Sequence, residues 1–330
     1  MAAGGLIHAL QKERGTTAGY LQSSGQKMAD TLPGLRVKTD EQLKTYKGLV
    51  EAVQNAATPD ALAAFQRVDA KLAELGALRT RVWALNVPVG ESIGFYTSTI
   101  TALLDAMDGL ARLNRDPSIA KQILAYQAVI RGKENAGQER AMTTAAFAAN
   151  KAEPAQYRAI LQKRHKQEAY QEVFIGAADA AQKAALQKVL AGNAEQEVQR
   201  LRAVLDAGPQ QGGFNVEPAD WFKVISEKID ELHAIELATA AQINASASEL
   251  LADSRTLLLW QLALTLLAIG LSAAVAAAVA PLVRQGCGVT LGWRDECNGC
   301  GDGPSKWGRA TTESCTLGAG SDSGCVKATL

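Results

Sequence analysis

Most of the chain carries apolar residues at the three- and four-residue spacing of amphipathic helices, and alternating strand-like runs are nearly absent before residue 285. Breaks rich in proline, glycine or asparagine separate these segments. They predict helices over residues 6–31, from 39 or 40 to 57, 59–85, 91–113, 116–150, from 154, 179–207 with an interruption at 192–193, and from 220 onward. Long helices joined by short breaks are typical of antiparallel bundles, so the sequence predicts an all-α fold.

The segment from 256 to 283 is the most apolar part of the chain. No residue in it is charged, and Arg255 and Arg284 stand at its two ends. Because about 20 apolar residues span a bilayer, we interpret it as a transmembrane helix, with a buried helix of a soluble protein as the alternative. No proline or glycine occurs between Trp221 and Arg255, so the preceding helix is expected to continue into the apolar segment without a break.

A short motif occurs twice in the helical part of the chain. Its members Glu13, Arg14 and Thr17 return at a constant offset as Glu139, Arg140 and Thr143. The repetition indicates two linked antiparallel bundles related by a pseudo-repeat. Residues at i, i+3, i+4 and i+7 share one face of a helix, so each copy presents one guanidinium with small and hydroxyl side chains beside it. Two such faces brought together would form a small cationic pocket.

Further motifs surround the repeat in a fixed order. They are Gln11-Lys12-Glu13-Arg14-Gly15, Tyr20-Leu21, Arg36, Thr39-Asp40, Lys133-Glu134, Gly137-Gln138-Glu139-Arg140-Ala141, Phe147, Trp221-Phe222, and Lys228-Ile229-Asp230 with Leu232 and Glu236. Together they resemble the NIT domain, the nitrate- and nitrite-sensing domain of bacterial receptors, over about residues 6–250. The resemblance implies an all-helical sensor of two linked bundles that binds nitrate or nitrite. It also implies a homodimer, since receptors of this kind pair their membrane helices.

Arg14 and Arg140 are the candidate ligands of that anion. A guanidinium is planar and permanently charged, and its fork of donors suits a small planar anion. The hydroxyls of Thr17 and Thr143 could add hydrogen bonds. Charged helical residues are mostly exposed, so ordinary surface salt bridges are the alternative for both arginines. Weaker candidates are Arg36, Arg200 and Arg202. An amphipathic helix would turn the latter two toward solvent.

The two ends of the chain depart from the receptors of this family. In those receptors a first membrane helix precedes the sensor, a second follows it, and a HAMP linker leads to an output domain. Here the chain begins shortly before Glu13, and Pro281-Leu282-Val283-Arg284 resembles the opening of a HAMP linker with no output signature after it. We therefore expect an N-terminally truncated or fused receptor with a sensor over 1–250. A single span over 256–283 would anchor it in the inner membrane. The resemblance implies that the helical domain lies in the periplasm, whereas disulfides in the tail would favour the opposite orientation.

All five cysteines follow the apolar segment. We interpret residues 286–330 as a small, Cys-rich and loop-rich module of unknown function. Its cysteines could form disulfides among Cys287, Cys297, Cys300, Cys315 and Cys325. A zinc ribbon would need a second close cysteine pair. The module also supports an alternative function, a non-sensing helical scaffold or adhesin that presents a Cys-rich extracytoplasmic tail.

Charge and composition exclude several other classes. The 34 basic side chains equal the 34 acidic ones, so the chain lacks the basic excess of a nucleic-acid binder. The three histidines, His8, His165 and His233, show no metal-ligand spacing, and no catalytic triad or phosphate loop occurs. We therefore expect no metal, no cofactor and no enzymatic activity. The expected partners are a small anion, the membrane and a second copy of the chain.

Overall fold

The computed structural model describes residues 2–55, 57–111 and 116–286. Every regular element in these ranges is a helix, which confirms the all-α prediction. The elements are α1 (Ala2–Gln22), α2 (Leu32–Val53), α3 (Pro59–Ala73), α4 (Leu75–Trp83), α5 (Val89–Ala111), α6 (Pro117–Ala148), α7 (Pro154–Ala177), α8 (Ala180–Leu190), α9 (Asn193–Ala207) and α10 (Pro218–Gly286). Gly286, the first residue of the predicted Cys-rich module, ends α10, and the rest of the module with all five cysteines lies outside the described residues.

The second helix begins earlier than the sequence predicts. Pro33 lies in the first turn of α2, where its missing N–H removes no helical hydrogen bond. The predicted start is Thr39 or Asp40, but Thr39 lies fully buried within α2 and its hydroxyl donates to the carbonyl oxygen of Leu35 over 3.0 Å. A threonine inside a helix can bond the preceding turn in this way, so its presence did not mark a helix start.

Two predicted helices are each divided into two in the structure. The segment 59–85 breaks between α3 and α4, where the N–H of Glu74 bonds the carbonyl of Lys71 over 3.1 Å in a tightened turn. Gly76 lies in the first turn of α4, but no proline or glycine stands at the break itself, and the apolar pattern predicts a continuous helix across it. The break between α8 and α9 falls at Gly192, in agreement with the predicted interruption.

The first bundle consists of α1 to α5, with α1 packed against α2 and α5, and α3 packed against α5. Leu6, Ile7 and Leu10 of α1 are completely buried at its centre, and Tyr96 of α5 lies buried beside them. The early part of α6, through Ile130, contributes to the same core.

The second bundle encloses a separate core. The later part of α6 packs there with the start of α7, with α9 and with the start of α10. Trp221 of α10 is fully buried, and the ring of Phe147 meets it edge-on with centroids 6.1 Å apart. Because α6 contributes to both cores, it joins the two bundles that the repeated motif predicts.

The end of α10 differs from the rest of the helical part. From Ser248 to Pro281 every residue is exposed, including Leu257, Trp260 and Leu266 at more than half of their surface. In the part of the chain that the structure describes, α10 is the helix long and apolar enough to cross a membrane, by length and composition. The apolar segment predicted over 256–283 is therefore helical and follows the bundle helix without interruption.

Candidate functional site

The glutamate of the first motif is the centre of a buried ionic cluster. Glu13 is fully buried, and Arg79 of α4 donates to both of its carboxylate oxygens over 2.7 and 2.8 Å. The hydroxyl of Tyr96 donates a further hydrogen bond over 2.9 Å. Arg36 of α2 lies 3.8 Å away through its Nε atom. Glu13 thus ties α1 to three other helices of its own bundle.

The glutamate of the second motif has an equivalent cluster. Glu139 accepts from Arg202 over 2.8 and 2.6 Å, from Arg164 over 2.9 Å and from Gln167 over 2.8 Å. Burial favours the neutral acid, but Arg202 and Arg164 outweigh it and hold the pKa of Glu139 below its ordinary value. Arg202 corresponds to Arg79 in this arrangement. The expectation that Arg202 faces solvent is wrong, because the buried Glu139 holds it inside the bundle.

The remaining weaker candidate, Arg200, lies on the surface. Its guanidinium pairs with Glu197 one turn earlier on α9 over 2.6 Å, and its side chain is 60% exposed. The predicted exposure of Arg200 is therefore confirmed. Arg36 makes a cation–π contact, because its guanidinium lies over the ring of Trp83.

Arg14 and Arg140 each follow a buried glutamate in sequence, and each points away from the cluster around that glutamate. Successive helical residues lie about 100° apart, so a glutamate directed into its own bundle turns the next side chain toward the neighbouring helix. Arg14 donates to both oxygens of Glu134 on α6, over 2.6 and 3.1 Å. It also donates to the hydroxyl of Thr97 on α5 over 2.9 Å. Arg14 is thus buried with a carboxylate partner.

Arg140 has a different environment although it occupies the matching position. It donates to the hydroxyl of Ser226 over 2.7 Å, and its guanidinium lies 4.5 Å from the ring centroid of Phe222. Within the described residues no carboxylate forms an ion pair with it. Burial, followed by the nearby charge of Arg14, lowers the pKa of Arg140 to about 10. Arg140 is therefore a largely buried cation whose charge is not neutralised by contact.

The two guanidiniums lie next to each other because α1 and α6 approach closely. A Cβ atom added to Gly15 would lie 3.3 Å from Nη2 of Arg140, and one added to Gly137 would lie 3.3 Å from Nη2 of Arg14. Each arginine thus covers a glycine of the opposite helix. The absence of a side chain at both glycines leaves room for the charged groups between the helices.

The two candidate threonines lie apart from this pair. Thr17 and Thr143 are both fully buried, and Thr17 lies beside Tyr96 in the cluster around Glu13. The hydroxyl of Thr143 has no hydrogen-bond partner among the described residues. No contact within those residues brings either hydroxyl to Arg14 or Arg140. The hydroxyls that do reach the arginines belong to Thr97 and Ser226, which no sequence motif singled out.

A second polar junction joins α1, α6 and α10. The rings of His8 and His233 stack with centroids 3.6 Å apart, and the fully buried Lys133 lies 3.4 Å from Nδ1 of each. Lys133 also forms a salt bridge with Glu236. Two of the histidines that are far apart in sequence therefore meet in space.

The helical part of the chain matches a known family. The family model for nitrate and nitrite sensing, NIT, matches residues 5–244. The chain belongs to this family.

Two relatives give the match more detail. The chain is 26% identical over 231 residues to the nitrate regulatory protein of Klebsiella oxytoca, and the match covers 70% of this chain. It covers 58% of that protein, so the chain spans little more than half of the relative's length. The fold is similar to that of the NasR transcription antiterminator, with a TM-score of 0.72, 24% identity, and coverage of 86% of this chain and 72% of that one.

Proposed function

We propose that this chain is the input module of a signalling protein and that it binds nitrate or nitrite between Arg14 and Arg140. The observation that carries the proposal is the guanidinium of Arg140, which is largely buried, adjacent to a second guanidinium and, among the described residues, without a contacting carboxylate. A desolvated cation in that position is costly unless an anion accompanies it. A small planar anion would supply the missing charge and accept the in-plane hydrogen bonds that guanidiniums donate.

The surroundings of the pair favour a small ligand over a large one. At Gly15 and at Gly137 an arginine of the opposite helix lies only 3.3 Å from where a Cβ atom would stand, so the helices are close together at the pair. The ring of Phe222 covers one side of Arg140 and offers no hydrogen bond to compete with the anion. The near-zero net charge of the chain also supports a small anion over a nucleic acid as the partner.

Binding at this place would act on the contact between α1 and α6 and, through Ser226 and Phe222, on α10. A ligand shifts a conformational equilibrium only if it binds the two states with different affinity. An anion that contacts both arginines meets this condition, because only one separation of α1 and α6 lets both guanidiniums reach it. We propose that the change passes along α10 into a single membrane span at its apolar end, with the helical bundles in the periplasm and the receptor acting as a homodimer.

Calorimetric titration of the full chain in detergent micelles with nitrate and with nitrite tests the proposal. We expect saturable binding, which Arg140→Gln weakens by at least about tenfold because one charge-assisted pair of hydrogen bonds is lost. Arg140→Lys keeps the charge but not the planar fork, so it should recover only part of the affinity. At a concentration of 100 times the dissociation constant, the ligand should stabilise the wild-type chain by about 2.7 kcal/mol.

Arg200→Gln is the matched control, since Arg200 is a helical arginine on the surface. It should bind nitrate and nitrite as the wild type does. Absence of saturable binding by the wild-type chain would overturn the proposal and leave the helical scaffold or adhesin as the function. Equal weakening in Arg200→Gln and Arg140→Gln would show that the effect is one of overall charge.

A further inference from the structure

The carboxylate of Glu134 lies within the proposed anion site itself. It is 3% exposed, and its two oxygens face the fork of Arg14 at 2.6 and 3.1 Å. Neither the repeat nor the proposed anion explains it, because a site for an anion gains nothing from a second negative charge. The pseudo-repeat places His8 at the corresponding position of α1, so the acid is present on one side only.

Glu134 is held so firmly that it cannot leave the site at low cost. Its Oε2 atom accepts from Gln11 and its Oε1 atom accepts from Gln138, each over 2.7 Å. With the two bonds from Arg14, both oxygens are therefore fully hydrogen-bonded by groups on α1 and α6. Removing the carboxylate from these donors would leave a buried cation and two amides without partners. The amides are neutral, so they fix the position of the carboxylate without changing the charge of the site.

The three charges at the centre of the site then add to a single positive unit, with Arg14 and Arg140 positive and Glu134 negative. Two further charges act from the edge of the site. Lys163, which is partly buried, interacts with Arg14 and Glu134, and the exposed Asp230 interacts with Arg140. Their charges are opposite and cancel in the sum.

We propose that Glu134 is the residue that sets the net charge of the site to one positive unit and thereby selects monovalent over divalent anions. This inference rests on the proposed anion site between Arg14 and Arg140. A monovalent anion neutralises such a site, whereas a sulfate ion would introduce a second, uncompensated negative charge into a poorly solvated space. Size alone does not separate the classes of anion as sharply, because nitrate and sulfate are both compact oxyanions. The carboxylate therefore lowers the affinity for every anion and lowers it most for the divalent ones.

The experiment compares the affinities of the full chain in detergent for nitrate and for sulfate. In Glu134→Gln the site would carry two positive charges, and the ratio of sulfate to nitrate affinity should rise on the order of tenfold, the size expected for one unit charge a few ångströms from the ligand. Glu134→Asp is the matched control, because it keeps the charge while changing the shape, and it should keep the preference for nitrate. An unchanged ratio in a folded Glu134→Gln chain would overturn the role of Glu134.

A double variant covers the case in which Glu134→Gln does not fold. Arg14→Gln combined with Glu134→Gln removes both members of the buried pair, a change that proteins tolerate better than the loss of one member. The site then carries the single charge of Arg140, and the chain should again prefer nitrate. Arg14→Gln alone leaves no net charge and should bind neither anion. Sulfate binding as tight as nitrate binding in the double variant would contradict the inference.

The outcome separates this inference from the proposed function. If the wild-type chain binds neither nitrate nor nitrite, the proposed function fails and the inference fails with it. If nitrate binds to the wild type but the selectivity does not follow the charge at position 134, only the role of Glu134 is wrong.

Discussion

Among single residues, Glu139 carries the largest expected effect on stability. It is fully buried, and it neutralises Arg164 and Arg202 in the second bundle. Glu139→Gln would leave the buried guanidinium of Arg202 without its paired carboxylate, while Arg164 would keep Asp206 at 2.8 Å, and such a loss typically costs about 3–5 kcal/mol. Urea unfolding of the full chain in detergent, followed by circular dichroism, should show the midpoint at a much lower urea concentration.

Glu197→Gln is the control for this prediction. It removes the same kind of ion pair, with Arg200, from the surface of the same bundle. Solvent screens that pair, so the midpoint should scarcely move. Equal shifts in the two variants would mean that the buried pairs of Glu139 contribute no more than a surface contact.

The sequence predicts the pair of arginines better than it predicts what surrounds them. Arg14 and Arg140 could be found because the motif repeats, and a helix fixes where a side chain points relative to its neighbours. The contact between Arg14 and Glu134 depends on how α1 and α6 align, and no local pattern fixes that alignment. The contacts of Thr97 on α5 and Ser226 on α10 with the arginines also depend on helix packing, so the sequence does not predict them.

At the scale of the elements, the junction between α1 and α10 makes stability depend on pH. Burial, then the charge of Lys133, then His233 and Lys12 lower the pKa of His8 from 6.5 to about 2. Glu236 also lies at this junction and is bound to Lys133. Below pH 6.5 the unfolded chain protonates His8 while the folded chain does not, so the unfolded state binds more protons. The contribution of His8 to stability is therefore complete above pH 6.5 and is lost as the pH falls.

His8→Phe tests this dependence, because a phenyl ring can stack on His233 but cannot take up a proton. The unfolding temperature of the wild-type chain should fall between about pH 7.5 and 5.5, and it should fall less steeply in His8→Phe. His165→Gln, which changes an exposed histidine on α7, should keep the wild-type slope. Parallel curves for His8→Phe and the wild type would show that His8 takes no part in the pH dependence.

The helices themselves follow from the sequence to different degrees. Pro117 and Pro154 begin α6 and α7 as predicted, because a proline fits the first turn of a helix and stops the one before it. The break at Glu74 has no proline, and the buried Leu72 and Leu75 on either side of it continue the apolar spacing of a single helix. Helix ends that depend on local backbone chemistry could therefore be predicted, whereas the break between α3 and α4 could not.

At the scale of the whole molecule, the proposed function requires that the chain cross a membrane once. Moving an aliphatic side chain out of water lowers the free energy by about 1.5–3 kcal/mol. The exposed leucines of the apolar segment would therefore be costly in water. A bilayer removes this cost without a protein partner. The bundles and residues 287–330 would then lie on opposite sides of that membrane.

Labelling with a membrane-impermeant maleimide tests the crossing, because no cysteine precedes Cys287 in the natural sequence. Three chains are compared in reduced spheroplasts, each with a single thiol: Glu172→Cys on the exposed surface of α7, Leu266→Cys in the apolar segment, and a chain that keeps only Cys325. We expect Glu172→Cys to react in intact spheroplasts, Cys325 to react only after the membrane is opened, and Leu266→Cys to stay protected in both cases. The reverse order of the first two would keep the span and place the bundles in the cytoplasm. Reaction of all three thiols from outside would mean that the apolar helix does not cross the bilayer, and an anion bound between α1 and α6 would then have to signal on one side of the membrane.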